Sequence, residues 1–146
     1  MTRHAACFAL AGLLACVPQE EIRIPYAPVN LTLQLSYLDS DLKDLYTSKV
    51  FTHGSTLLYT DRLGFGGLLV FHNSAGYQAY DLACPVEASS KTVVALETGG
   101  LFAACPACGT RYSLIDNAIP VAGSGTFRLQ AYRVFQNSNN ELIISN

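Results

Sequence analysis

The chain has no tryptophan, one methionine and only three histidines. Just 14% of its residues are charged, with a net charge of −2 and no block of lysine or arginine anywhere. Nucleic-acid binding and polybasic attachment to a membrane surface therefore have no electrostatic basis. No apolar run after Ala15 approaches the roughly 20 residues a membrane-spanning helix needs. No internal repeat or low-complexity segment is present. A helical period is also nearly missing, and an apolar–polar period of two runs along most of the chain.

The N-terminus stands apart. Met1–His4 is short and mildly basic, and Ala5–Ala15 is an apolar run rich in alanine and leucine. It is too short to span a bilayer but suits the hydrophobic part of a secretory signal. Leu13-Leu14-Ala15-Cys16 resembles a bacterial lipobox, and Val17–Glu21 is a polar tether. The expectation is a lipoprotein signal peptide over 1–15, a lipidated tether over 16–23 and a β domain over 24–146. Cys16 would carry the lipid, which would be the membrane contact, with the domain facing the periplasm or the cell surface. Cys7 falls in the discarded part.

Strands are expected at Leu31–Leu35, Gly67–His72, Tyr77–Leu82, Thr92–Leu96, Leu101–Ala104, Arg111–Ile115, Leu129–Val134 and Glu141–Ile144. Turn clusters at Asn73–Gly76 and Asn137–Asn140 make hairpins of two pairs. Asp39–Tyr46 is the one helical candidate, with Leu38, Leu42 and Leu45 on one face and Asp39 or Ser40 as cap. Short strands at regular spacing predict an all-β sandwich or small barrel. Tyr77, Tyr80, Phe102, Tyr112 and Tyr132 fall where strands alternate and read as core or cross-strand packing.

Chemistry concentrates in two loops, Cys84-Pro85-Val86-Glu87 and Cys105-Pro106-Ala107-Cys108-Gly109. Proline fixes each turn, and a Cys-x-x-Cys pair sets two sulfurs on one side of it, within reach of a single ion. Three cysteines make an incomplete structural zinc set by themselves. A cysteine nucleophile would need a base in reach, and neither loop holds a histidine. Asp81 and Glu87 flank Cys84 and, as neighbours, would raise its pKa. No catalytic residues are assigned on this basis.

The second loop resembles the Rieske iron–sulfur motif Cys-Pro-x-His-Gly-x-x-Tyr/Phe, through Cys105, Pro106, Gly109 and Tyr112. The first resembles its partner Cys-x-His, through Cys84. Gly123-Ser124-Gly125-Thr126-Phe127-Arg128-Leu129 resembles that fold's Gly-Pro-Ala-x-x-x-Leu segment. The region from Ile24 onward is similar to Rieske-like lipoproteins of Bacteroidetes. The resemblance implies a Rieske-like all-β fold, with the two cysteine-bearing loops at one tip. It also implies one-electron transfer to a redox partner protein through a 2Fe–2S centre. The two histidine positions hold Val86 and Cys108, so the family's ligand set is incomplete. Three readings of Cys84, Cys105 and Cys108 stay open: a disulfide in a cofactor-free binding or structural module, a modified 2Fe–2S centre, and a zinc site. His53 and His72 have no sequence reason to approach the loops, and His72 reads as a solvent-facing turn residue.

Overall fold

The computed structural model describes residues 23–55 and 58–146. The expected signal peptide, Cys16 and nearly all of the tether lie outside the described residues. No helix among those residues is long and apolar enough to cross a membrane.

Among the described residues eleven strands follow one another: β1 (Val29–Gln34), β2 (Thr47–Phe51), β3 (Arg62–Leu63), β4 (Leu68–Asn73), β5 (Gly76–Asp81), β6 (Ala95–Leu96), β7 (Phe102–Ala104), β8 (Arg111–Ser113), β9 (Ile119–Ala122), β10 (Ala131–Gln136) and β11 (Glu141–Ser145). Seven form a nearly closed antiparallel barrel in the order β2-β4-β5-β10-β11-β1-β3, and four form a small sheet in the order β6-β7-β8-β9. The all-β class with two cysteine loops at one tip is thus the architecture observed.

The hairpin β4–β5 is the wall between two cores. Leu68 and Val70 face inward with Leu31, Leu33, Leu142 and Ile144. Leu69 and Phe71 face the other way, with Tyr80, Leu82, Tyr112 and Leu129. All four β4 side chains are fully buried. Two-sided burial is why this segment reads as an unbroken apolar run instead of an alternating one. Each such side chain contributes roughly 1.5–3 kcal/mol by leaving water. Cys84 and Cys105 belong to the second core, so the cysteine tip is the roof of a packed interior.

The expected helix at Asp39–Tyr46 is a correction. Only a single 3₁₀ turn forms, at Ser40–Lys43, and Asp39 makes no capping bond to it. Instead Asp39 accepts the Gln34 amide at 2.8 Å and pairs with Lys49 at 3.0 Å. Asp41 also pairs with Lys49 at 3.0 Å. These tie the chain to β1 and β2, and Tyr46 at φ 64° breaks any helical continuation. Leu42 is buried, whereas Leu38 and Leu45 are 70% and 54% exposed, so no common face exists. The expected strand at Thr92–Leu96 shrinks to Ala95–Leu96, with one bridge between Val93 and Ala83.

Candidate metal centre

The first cysteine loop stands on a buried carboxylate. Asp81 ends β5 with no solvent exposure. Its oxygens accept the amides of Phe65 (2.7 Å), Gly66 (2.9 Å) and Ala83 (2.7 Å), and the Tyr132 hydroxyl at 2.7 Å. A buried carboxylate tolerates its site when donors surround it in this way. Gly66 lies so close to this loop that a Cβ there would meet the Ala83 nitrogen at 2.5 Å. The expectation that Asp81 acts on the neighbouring thiol is therefore replaced: its oxygens are aimed at backbone amides and at Tyr132.

Both cysteine turns close in one way. The Ala88 amide donates to the Cys84 carbonyl at 2.9 Å, and the Gly109 amide donates to the Cys105 carbonyl at 3.0 Å. Each turn ends on a residue with positive φ, 47° at Ala88 and 70° at Gly109. The Cys105 amide is bonded to the Thr110 carbonyl, and the Cys84 amide to that of Thr92. Proline after each cysteine holds its backbone in the turn.

The three sulfurs converge, all lying within 4.8 Å of one another. Cys84 Sγ and Cys108 Sγ are 3.6 Å apart, and all three thiols are free. Cys84 and Cys105 are buried, and Cys108 is partly exposed. A tetrahedral ion with metal–sulfur bonds of about 2.3 Å sets its sulfurs about 3.8 Å apart. The Cys84–Cys108 separation is close to that value, and the Cys105 sulfur lies within 4.8 Å of both.

The surroundings differentiate the thiols. Burial, the largest influence, pushes Cys105 up to about 11, against the amides of Ala107 and Cys108, which favour its thiolate. Burial also opposes the Cys108 thiolate. The Thr110 hydroxyl and amide, followed by the two neighbouring thiols, outweigh it and hold Cys108 below its ordinary value. Burial first, then the adjacent Cys84 sulfur, pushes the Tyr112 phenol well up. It therefore stays protonated, with its oxygen 3.6 Å from Cys84 Sγ.

Sequence reading missed the third support. Thr110 is buried, its hydroxyl 3.2 Å from Cys108 Sγ, and it accepts the Gly125 amide at 2.9 Å. A Cβ at Gly123 would strike the Thr110 Cα at 2.5 Å, and one at Gly125 the Thr110 methyl at 2.6 Å. The glycines of the 123–125 segment thus let a third stretch of backbone lie against the second loop. Their spacing was the available signal.

Neither described histidine joins the sulfurs. His53 approaches the Phe65 carbonyl, while His72 approaches the Asp44 carbonyl and stacks on Tyr77 with ring centroids 4.0 Å apart. His72 is therefore half-buried against a ring instead of simply facing solvent. Val86 is 43% exposed and offers no ligand atom. Among the described residues no fourth Cys, His, Asp or Glu joins the sulfur group. A Rieske 2Fe–2S cluster divides four ligands between two irons. Here Val86 offers no donor, and Cys108 presents sulfur where the motif has imidazole. The residues present do not fit that cluster.

The chain matches no protein-family model and no curated protein. Among solved structures it is similar to a ferredoxin of carbazole 1,9a-dioxygenase from Nocardioides aromaticivorans IC177, with a TM-score of 0.44 and 18% identity over 80% of this chain and 95% of that one. It is also similar to a Mycobacterium tuberculosis chain assigned as the small subunit of an NADH-dependent nitrite reductase, with a TM-score of 0.36 and 13% identity over 70% and 97%. Neither likeness is close enough to carry chemistry from one chain to the other.

Proposed function

We propose that this protein is a metal-binding β domain of Rieske-like architecture, in which Cys84, Cys105 and Cys108 hold one thiophilic cation of the zinc class. The observation that carries the reading is the convergence of three sulfurs from two loops within 4.8 Å. Thiolate ligands select zinc-like or cuprous ions over hard cations, and a tetrahedral set suits zinc. The Tyr112 hydroxyl and the amides beside Cys105 offset part of the cost of gathering negative sulfur in a largely buried site.

The domain works by binding, in keeping with thiols whose described neighbours are backbone amides and the hydroxyls of Thr110 and Tyr112. Electron transfer through a 2Fe–2S centre, the role that the sequence resemblance implies, would need another donor in place of Val86. A second reading, a Cys84–Cys108 bridge, is favoured by their 3.6 Å separation and is the oxidised alternative of the same site. The order of basic start, apolar run and lipobox-like Leu13–Cys16 supports placing the domain in the bacterial envelope, held by lipid on Cys16. The mass of the N-terminal peptide tests that placement.

The function is tested by purifying the reduced full-length chain without oxygen and assaying zinc, iron and acid-labile sulfide. One zinc per chain is expected, lost when any of the three cysteines becomes serine. Iron with matching sulfide, or no metal on fully reduced thiols, would overturn the reading.

A further inference from the structure

The two cysteine turns are structural equivalents, and the equivalence assigns a partner to Cys108. Counting from the first cysteine of each, Cys84 corresponds to Cys105, Pro85 to Pro106, Val86 to Ala107, Glu87 to Cys108 and Ala88 to Gly109. The correspondence rests on backbone observations. Each turn is closed by an amide four residues on, at 2.9 Å and 3.0 Å. Each then leaves through a residue of positive φ. Each also extends the end of an antiparallel pairing, Ala83 with Val93 in one case and Ala104 with Arg111 in the other. In the second turn both the first and fourth residues present sulfur to the common point. In the first turn only Cys84 does so, and the fourth residue is Glu87.

We infer that Glu87 is the fourth ligand of the metal site, so that two matching turns each supply two donors to one ion. This inference rests on the metal-binding reading above. Glu87 is exposed, and its carboxylate stands outside the sulfur group. Ligation therefore requires its side chain to turn toward the sulfurs from the fourth position of its turn. A Cys₃Glu donor set is chemically consistent with zinc, which accepts carboxylate oxygen at about 2.0–2.2 Å beside thiolate sulfur. The turn equivalence picks Glu87 over Val86, although Val86 occupies the position where the sequence motif has histidine. Val86 corresponds to Ala107, and neither offers a donor.

The test uses the reduced full-length chain and two substitutions, Glu87→Gln and Glu87→Cys, with cobalt(II) as spectroscopic probe and zinc in competition. Loss of an outer partner alone costs a metal site roughly 10-fold in affinity, so Glu87→Gln should weaken zinc binding by at least that factor. Its sulfur-to-cobalt charge-transfer intensity should stay that of three thiolates. Glu87→Cys should tighten binding and raise that intensity by about one third, the signature of a fourth sulfur. Wild-type affinity in Glu87→Gln, together with three-sulfur intensity in Glu87→Cys, would overturn the inference and leave the three-cysteine site standing. A wild-type chain that takes up neither metal would overturn the site reading and this inference with it.

Discussion

The Tyr132 hydroxyl donates to Asp81 Oδ2 at 2.7 Å, joining strand β10 to the end of β5 at the foot of the first cysteine turn. The same carboxylate orders the loop at Phe65–Gly66 and the Ala83 amide. Four donors thus lose their acceptor together if the carboxylate is removed. Asp81→Ala is expected to destabilise the domain by about 3–5 kcal/mol, since each buried unsatisfied group costs roughly 1–3 kcal/mol and neighbours relax in part. Tyr132→Phe removes one donor only and should cost about 1–2 kcal/mol. Urea unfolding of the two variants checks the ranking, and equal costs would contradict it.

Gly99 and Gly123 share a positive φ, 93° and 90°, but differ in what surrounds them. Nothing lies within 4 Å of a Cβ at Gly99, whereas one at Gly123 would meet the Thr110 Cα at 2.5 Å. Gly99→Ala should therefore cost only the left-handed backbone, roughly 1–2 kcal/mol. Gly123→Ala should cost more, and it alone should weaken zinc binding, because the displaced residue supports Cys108. Thermal melts and zinc competition on the pair separate backbone strain from contact.

Much of this architecture is legible in the chain itself. The hairpin β4–β5 announces itself because one strand is apolar on both faces and the turn between is Asn73–Gly76. The strands that escaped notice had physical reasons to do so. β2 carries three half-buried residues and an exposed one before Phe51, so its apolar period is blurred. β9 holds Pro120 on a sheet edge, with Ile119 and Val121 exposed, which is where proline is tolerated and where periodicity fades. At the site, the Cys-Pro spacing reveals which sulfurs belong together. The direction of the Asp81 carboxylate and the Thr110–Gly125 bond depend on chain pairings that no local pattern encodes.

Glu97 and Arg111 form a forked pair at 2.7–3.0 Å, linking the end of β6 to β8. The Arg111 hydrogen bonds are the main influence on Glu97 and hold its carboxyl below the usual carboxylate range. A depressed carboxyl contributes stability above its unfolded pKa and loses it as pH falls through the folded value. The stability difference between wild type and Glu97→Gln should therefore be present at neutral pH and fade in acid. Denaturant titrations of both chains across that range measure it, and a difference that grows in acid would contradict the pairing.

The 3.6 Å contact between Cys84 and Cys108 makes these two the pair that oxidises first. Closing the bond requires roughly 1.5 Å of further approach to reach about 2.05 Å. Cys105 is held toward the amides of its own turn. Treatment of the metal-free chain with a small disulfide should give one Cys84–Cys108 bridge, leave Cys105 open to alkylation and abolish zinc uptake. Peptide mapping decides it, and a Cys105–Cys108 bridge would contradict the assignment.

The most direct examination of a shared ion is X-ray absorption at the zinc edge on the reduced, zinc-loaded chain. Three sulfur neighbours at about 2.3 Å with one lighter donor completing the shell are expected. Fewer than three sulfurs around the zinc would show that the turns at 84 and 105–108 do not serve one centre.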